Sequence, residues 1–475
     1  MSAAVALVVA AGLAGCGTTT YFAGRTLPPS GLTNRVLIAI QNPAALSAGG
    51  LEIVDAFYDI RYKYNSTNTA PAFGVSGFAG ALPTTIQNMP DELIGAVYSS
   101  GAGGSYTLIN YPGEKGAGNV SGLNGPSSSI FITRDQNYVF AANQASHLLT
   151  VVNRNNGTSY SFSLPGVYRV SVNPGGSVAL VFVQNSNYVY YPQQLTSAQT
   201  INYSGGPSTW PLGAVDCEPQ NEPVWCLFQA LSPDDNKPLT LDRPVKAVFS
   251  ADGGSAYVLN CGPECGGSQA SVSILPVAPL IFLIGKQSGT LPTHASVAAS
   301  TLNLPGGASN ALVNSSTLYV VGQQQKSDGF WSGQLSVVNL PTSSATAMTV
   351  AGQVPISDGA PGAMSRMILA DDNTLWIGMT NCINGERANN GQPYGCLTMV
   401  NTSSNAATLL PYNGDATGIA AVTGLHKIYT AEGGQIYIYS TVNGTAIDNQ
   451  YVTVTGTAYD VAYMDALTDG DNTVY

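Results

Sequence analysis

The sequence reads as an all-β protein: a β-propeller of seven or eight four-stranded blades, eight by count, closed when the C-terminal strand pairs with the first blade. Three observations predict this. The composition is that of strands and turns, a strand–turn–strand unit recurs along the chain, and the last strand supplies what the first unit lacks. Of 475 residues, 44% are hydrophobic and only 9% charged, with 53 Gly, 28 Pro and 25 Tyr. Soluble domains usually carry about 25% charged residues, and long helices or coiled coils need about half Ala, Glu, Lys, Leu and Arg. A β-rich body with a Ser, Thr, Asn and Gln surface fits these figures. Sixteen basic against 27 acidic residues give a net charge of −11. That lacks the basic footprint of a nucleic-acid binder, so no nucleic-acid partner is expected.

At the N-terminus, residues 3–15 are uniformly small and apolar. Thirteen residues rise ~20 Å as a helix, short of the ~30 Å hydrocarbon core. They suit the hydrophobic region of a secretory signal. The run ends in Leu13-Ala14-Gly15-Cys16, which resembles the bacterial lipobox. That resemblance implies a Cys16 that is lipidated and becomes the mature N-terminus, although no Lys or Arg precedes the apolar run and the first basic residue is Arg25. The expected organisation is a lipoprotein signal peptide over 1–15, a lipidated cysteine and flexible tether over 16–33, and one propeller over 34–475. The expected location is extracytoplasmic, on a bacterial membrane.

The body opens on Arg35-Val-Leu-Ile-Ala-Ile40, and strand clusters follow near residues 45, 98, 145, 180, 260, 320, 380 and 430. Alternating strands flank tight polar turns beginning near residues 135, 174, 252, 314, 371 and 424. This is the hairpin signal. Their unequal spacing points to loops inserted between units. Downstream strands end in an aliphatic pair and Asn, as in Leu149-Thr-Val-Val-Asn153, Leu335-Ser-Val-Val-Asn339 and Leu397-Thr-Met-Val-Asn401. Each unit is too small to bury its own faces, and stacking around an axis solves that problem. The tail, Ala458-Tyr-Asp-Val-Ala-Tyr463, reads as the inner strand missing from the first unit.

Tyr257-Val-Leu-Asn260 follows the Asp252-Gly-Gly254 turn and precedes another strand. It resembles the repeat of YVTN-type, lactonase-like bacterial propellers. Tyr138-Val-Phe-Ala141 and Leu375-Trp-Ile-Gly378 depart from that repeat. The resemblance implies the architecture and brings in a lactonase-like activity near the central channel as an alternative function.

Cys16 apart, six cysteines fall in local pairs: Cys217 with Cys226, Cys261 with Cys265, and Cys382 with Cys396. Each lies in a Pro/Gly/Asn-rich stretch, as disulfide staples of loops would in an oxidising compartment. Zinc would favour paired knuckles or nearby His, and the three His (His147, His294, His426) are scattered. No metal or cofactor is expected. No nucleophile elbow with ordered acid and His is present, so no catalytic residue is assigned. The run from Asp465 to Asn472 is acidic but lacks calcium-loop spacing and reads as a solvated turn. Arg134, Arg243 and Arg366, at or beside inner strands, are candidates for lining one channel face. The expected function is a binding scaffold that recognises a protein or small molecule through loops on one face.

Overall fold

A computed structural model describes residues 25–61, 73–101, 103–195, 210, 212–218, 223–232, 234–281, 299–341 and 347–468. The apolar leader, Cys16, His294 and Asp469 to Asn472 lie outside them. Eight antiparallel sheets form the blades of an eight-bladed β-propeller. The cluster near residue 98 is a complete blade, which settles the count at eight. Seven blades have four strands; blade 4 has five, because a hairpin (Ala214–Glu218 and Trp225–Gln229) extends its outer edge.

Blade 1 is built from both ends of the chain. Its inner strand is Thr457–Tyr463, followed outward by Arg35–Gln41, Gly49–Asp55 and Phe73–Gly74. Ile38 pairs with Val461 and Val36 with Tyr463. All but the last residue of Arg35–Gln41 is buried, so the closure is itself core. The inner strands of blades 2 to 8 are Pro83–Met89, Ser129–Ile132, Val167–Val172, Pro244–Phe249, Asn310–Asn314, Met364–Ala370 and Ala416–Val422.

Two faces follow from this winding. On the entry face the chain arrives at each inner strand; on the turn face it doubles back into the second strand. The turns anticipated from Asx and Gly lie on the turn face. In blade 5, Asp252 Oδ1 accepts the Gly254 N–H at 3.0 Å, and Gly253 supplies the φ of 69° that the turn requires. Aromatics fill the spaces between blades: Trp225 meets Tyr138, Phe140 and Tyr160 within 6.4 Å.

An inner strand has one edge without a β partner, and its buried N–H groups need acceptors. At four junctions side chains of the preceding blade supply them. Asp460 of blade 1 accepts from Ile86 N, Gln87 from Ile132 N, Ser129 from Val170 N, and Ser171 from Ala247 N. Gln87 also donates to the Ile132 carbonyl. Blades 1 to 5 are thus stitched in sequence.

Residues 25–33, expected as the end of a flexible tether, lie against the turn face. Arg25 donates to the carbonyls of Pro90 and Ala466, and Ser30 bonds Glu114 through both its N–H and its hydroxyl. Asp465, expected in a solvated turn, is buried and bonds Arg35 at 2.6 Å. No helix among the described residues is long and apolar enough to cross a membrane.

Candidate functional site at the channel mouth

Six of the eight inner strands carry a β-bulge near their start, at Thr84, Tyr168, Val245, Ser365, Thr417 and Tyr459. A bulge re-aims the side chains that follow it. Matching each inner strand to its neighbour places one residue per blade at the same level: Asp460, Thr85, Ser129, Arg169, Lys246, Asn310, Arg366 and Gly418, in blade order 1 to 8. None is apolar apart from the glycine. Six of the eight, the exceptions being Gly418 and Asp460, line a cavity of ≈ 370 Å3 opening on the entry face, and Tyr459 and Thr417 lie beside them.

The ring carries three cations and one acid in a protein whose net charge is −11. Arg366 of blade 7 pairs with Asp460 of blade 1, passing over blade 8. Gly418 makes that crossing possible, since a Cβ there would sit 2.6 Å from Asp460 Oδ1. Burial raises the Asp460 carboxyl from its ordinary value, and Arg366 opposes that rise. Arg169 stacks over Tyr168, 5.5 Å from the ring centre. Lys246 donates to Asn310 Oδ1 at 2.8 Å. Desolvation, reinforced by Arg169 and Arg366, lowers its amine to about 7. The mouth therefore offers fixed guanidinium groups and an amine that changes charge near neutrality, a setting for acidic groups.

Two disulfide-closed loops lie on the same face as this mouth. Cys261 bonds Cys265 and Cys382 bonds Cys396, both between second and third strands and so on the entry face. Cys217 and Cys226 also bond, but they join adjacent strands at the outer edge of blade 4 instead of closing a free loop. Glu264, inside the first loop, is buried and accepts from Gln323 N of blade 6 at 3.0 Å and Gly362 N before blade 7 at 2.9 Å. Arg387, in the second loop, pairs with buried Asp358. These contacts hold both loops against neighbouring parts of the propeller.

Of the arginines singled out in the sequence, Arg366 stands in the ring. Arg243 lies on the entry face beside a neighbouring cavity of ≈ 440 Å3, bonded to the Asn185 carbonyl. Arg134 sits on the turn face, where it pairs with Asp91 and Glu92 of the adjacent turn. Arg169, Lys246, Asn310 and Asp460 were not anticipated. Their common signal is position: a polar residue five or six places before the hairpin turn, as Arg169 stands to Pro174 and Lys246 to Asp252. His147 is exposed on the entry face and His426 on the turn face beside Asp372, so the two lie on opposite faces. Among the described residues no group of His, Cys, Asp and Glu is placed to hold a metal.

No family model matches the chain, and no curated protein matches it. Solved structures do. The dihydro-heme d1 dehydrogenase NirN in complex with DHE is 11% identical over 90% of this chain and 75% of that chain, with a TM-score of 0.50. The Myceliophteria thermophila Cps50 (Swd1) β-propeller domain is 11% identical, covering 79% of this chain and 99% of that chain at a TM-score of 0.46. The periplasmic gluconolactonase PpgL of Pseudomonas aeruginosa is 13% identical, covering 90% and 98% at a TM-score of 0.42. Such identities speak for the fold alone.

Proposed function

We propose that this chain is a membrane-anchored, extracytoplasmic propeller that binds a partner through the loops of its entry face. The observation that carries this reading is convergence: two disulfide-closed loops, the cationic mouth and exposed apolar side chains share one face. Ile383 and Tyr412 are 53% and 42% exposed there, the latter beside Tyr394. Pre-fixed loops lose little freedom on binding, which favours affinity. The anchor rests on the Leu13-Ala14-Gly15-Cys16 run, and the disulfides suit an oxidising compartment. The hold on Arg25 at the turn face supports an orientation in which the entry face is turned away from the membrane.

The test is capture of a partner from cell-envelope extract by the full chain. Ile383→Arg on the entry face should abolish capture, whereas Val442→Arg, 66% exposed on a turn-face loop, should not. Equal effects of both, or a blank with the unmodified chain, would overturn the reading.

A second reading is a lactonase-like hydrolase. It is favoured by the Lys246 amine, lowered to about 7, which suits a general base between two guanidinium groups that would hold an anionic ester. Assay of lactones and sugar-acid esters decides it: turnover lost in Arg366→Ala would support hydrolysis, and none in the unmodified chain would exclude it.

A further inference from the structure

A second cavity, of ≈ 260 Å3, lies on the other side of the Lys246–Asn310 contact and opens among the hairpin turns of blades 4 to 7. Its walls are Val248, Leu312, Met367 and Leu369, with Pro174 and Ser315 at the rim. Protein interiors are close-packed, and voids larger than a water are few. A concave apolar surface left open is the usual form of a small-molecule site, especially when a few polar groups stand at one end. Here those groups are Lys246 and Asn310, with Lys246 the one charged side chain among the described lining residues.

We propose that this cavity binds a small amphiphilic monoanion of the medium-chain carboxylate class. Its aliphatic chain lies along Val248, Leu312, Met367 and Leu369, and its carboxylate meets the Lys246 ammonium. Complementarity selects this class over others. A sugar would bring hydroxyls for which the walls hold no partners, and burying them unpaired is costly. An amine would face the Lys246 charge, with Arg169 and Arg366 behind it. A neutral alcohol would fill the walls but leave the ammonium without a counter-ion. The acid of the same ring, Asp460, is already paired to Arg366. A bound carboxylate thus supplies a counter-charge to Lys246, whose own contact is the neutral Asn310 amide, and it holds Lys246 protonated.

This site is on the turn-face side and does not depend on partner binding at the entry face. Isothermal titration of the full chain with octanoate, octan-1-ol and acetate tests it. At pH 6.5, octanoate should bind about tenfold or more tighter than octanol, as a charge-assisted hydrogen bond implies. Affinity should rise about fourfold per methylene from acetate towards octanoate. Octanoate binding should weaken as pH rises from 6 to 8 while octanol binding stays level. Lys246→Met should equalise octanoate and octanol, and Leu312→Trp, which fills the cavity, should remove both. Arg169→Gln, on the entry-face side, should keep the chain-length dependence. Equal binding of octanoate and octanol to the unmodified chain, binding of neither, or octanoate binding untouched by Leu312→Trp would each overturn the proposal. If Lys246→Met does not fold, the acid-to-alcohol ratio and its pH dependence in the unmodified chain still decide.

Discussion

Arg366 and Asp460 form an ion pair that crosses the backbone of a blade belonging to neither. The intervening residue, Gly418, leaves the space: a Cβ would lie 2.6 Å from Asp460 Oδ1 and 2.7 Å from its Cα. Asp460 also accepts the Ile86 N–H at 2.7 Å, so one carboxylate ties blades 1, 2 and 7 together. Gly418→Ala is therefore expected to destabilise the fold by about 1–3 kcal/mol through overpacking. Asp460→Ala should cost about 3–5 kcal/mol, because it strands a guanidinium and a buried N–H. Denaturant unfolding at neutral pH measures both; a harmless Gly418→Ala would mean that the crossing is not tightly packed.

Closure of the ring has its own electrostatic lock. Arg35, 2% exposed, bonds Asp465 at 2.6 Å, Glu114 at 3.1 Å and the Tyr111 carbonyl at 2.7 Å. It thereby joins the first long strand to the tail of the chain and to blade 2. Arg35→Met leaves two carboxylates buried without their cation. The expected loss is about 3–5 kcal/mol, with earlier hydrogen exchange in Thr457–Tyr463 than elsewhere. Unchanged protection of that strand would show that pairing with Arg35–Gln41 alone holds the ring.

The blade count and the closing strand are legible in the sequence because turns and alternation are local. Asp252, Gly253 and Gly254 announce a hairpin whatever surrounds them. The ring at the channel mouth is hidden for a physical reason. A bulge adds one residue to the inner strand, so Lys246 and Arg366 face the axis at positions that simple alternation assigns differently. The arginines visible from sequence fall in three places because proximity to an inner strand does not specify direction. Asp465 looks like a turn residue because its partner, Arg35, is 430 residues away.

The Cys382–Cys396 bond closes a loop with a sequence separation of 14. On chain entropy alone this contributes about 3 kcal/mol. Cys382→Ala with Cys396→Ala should lower stability by about that amount and raise protease sensitivity between those positions. Intact mass measured before and after reduction should differ by six hydrogens if all three pairs are formed. A smaller difference would identify a pair that the protein does not make.

Lipidation at Cys16 separates the anchored reading from a freely secreted one. Cys16→Ser should move the protein from the membrane fraction to the soluble fraction while leaving the propeller's melting temperature unchanged. Membrane retention by the variant would place the attachment elsewhere, and the orientation inferred from Arg25 would lose its basis.

Glu432 gives the fold a pH dependence of its own. The side chain is fully buried in blade 8, and the Thr430 hydroxyl donates to it at 2.5 Å. Desolvation, countered by Thr430, Tyr439 and Asn413, pushes its carboxyl from 4.5 up to about 7. The folded state therefore binds a proton that the unfolded chain has released between those two values. Stability from this group is greatest below about pH 4.5, falls as pH rises and levels off above about 7. A shift of this size corresponds to about 3 kcal/mol. Glu432→Gln keeps the shape and removes this titration, so its stability should fall less than that of the unmodified chain as pH rises across that range, and exceed it at pH 8. Parallel pH profiles of the two proteins in urea would show that Glu432 does not titrate in this window.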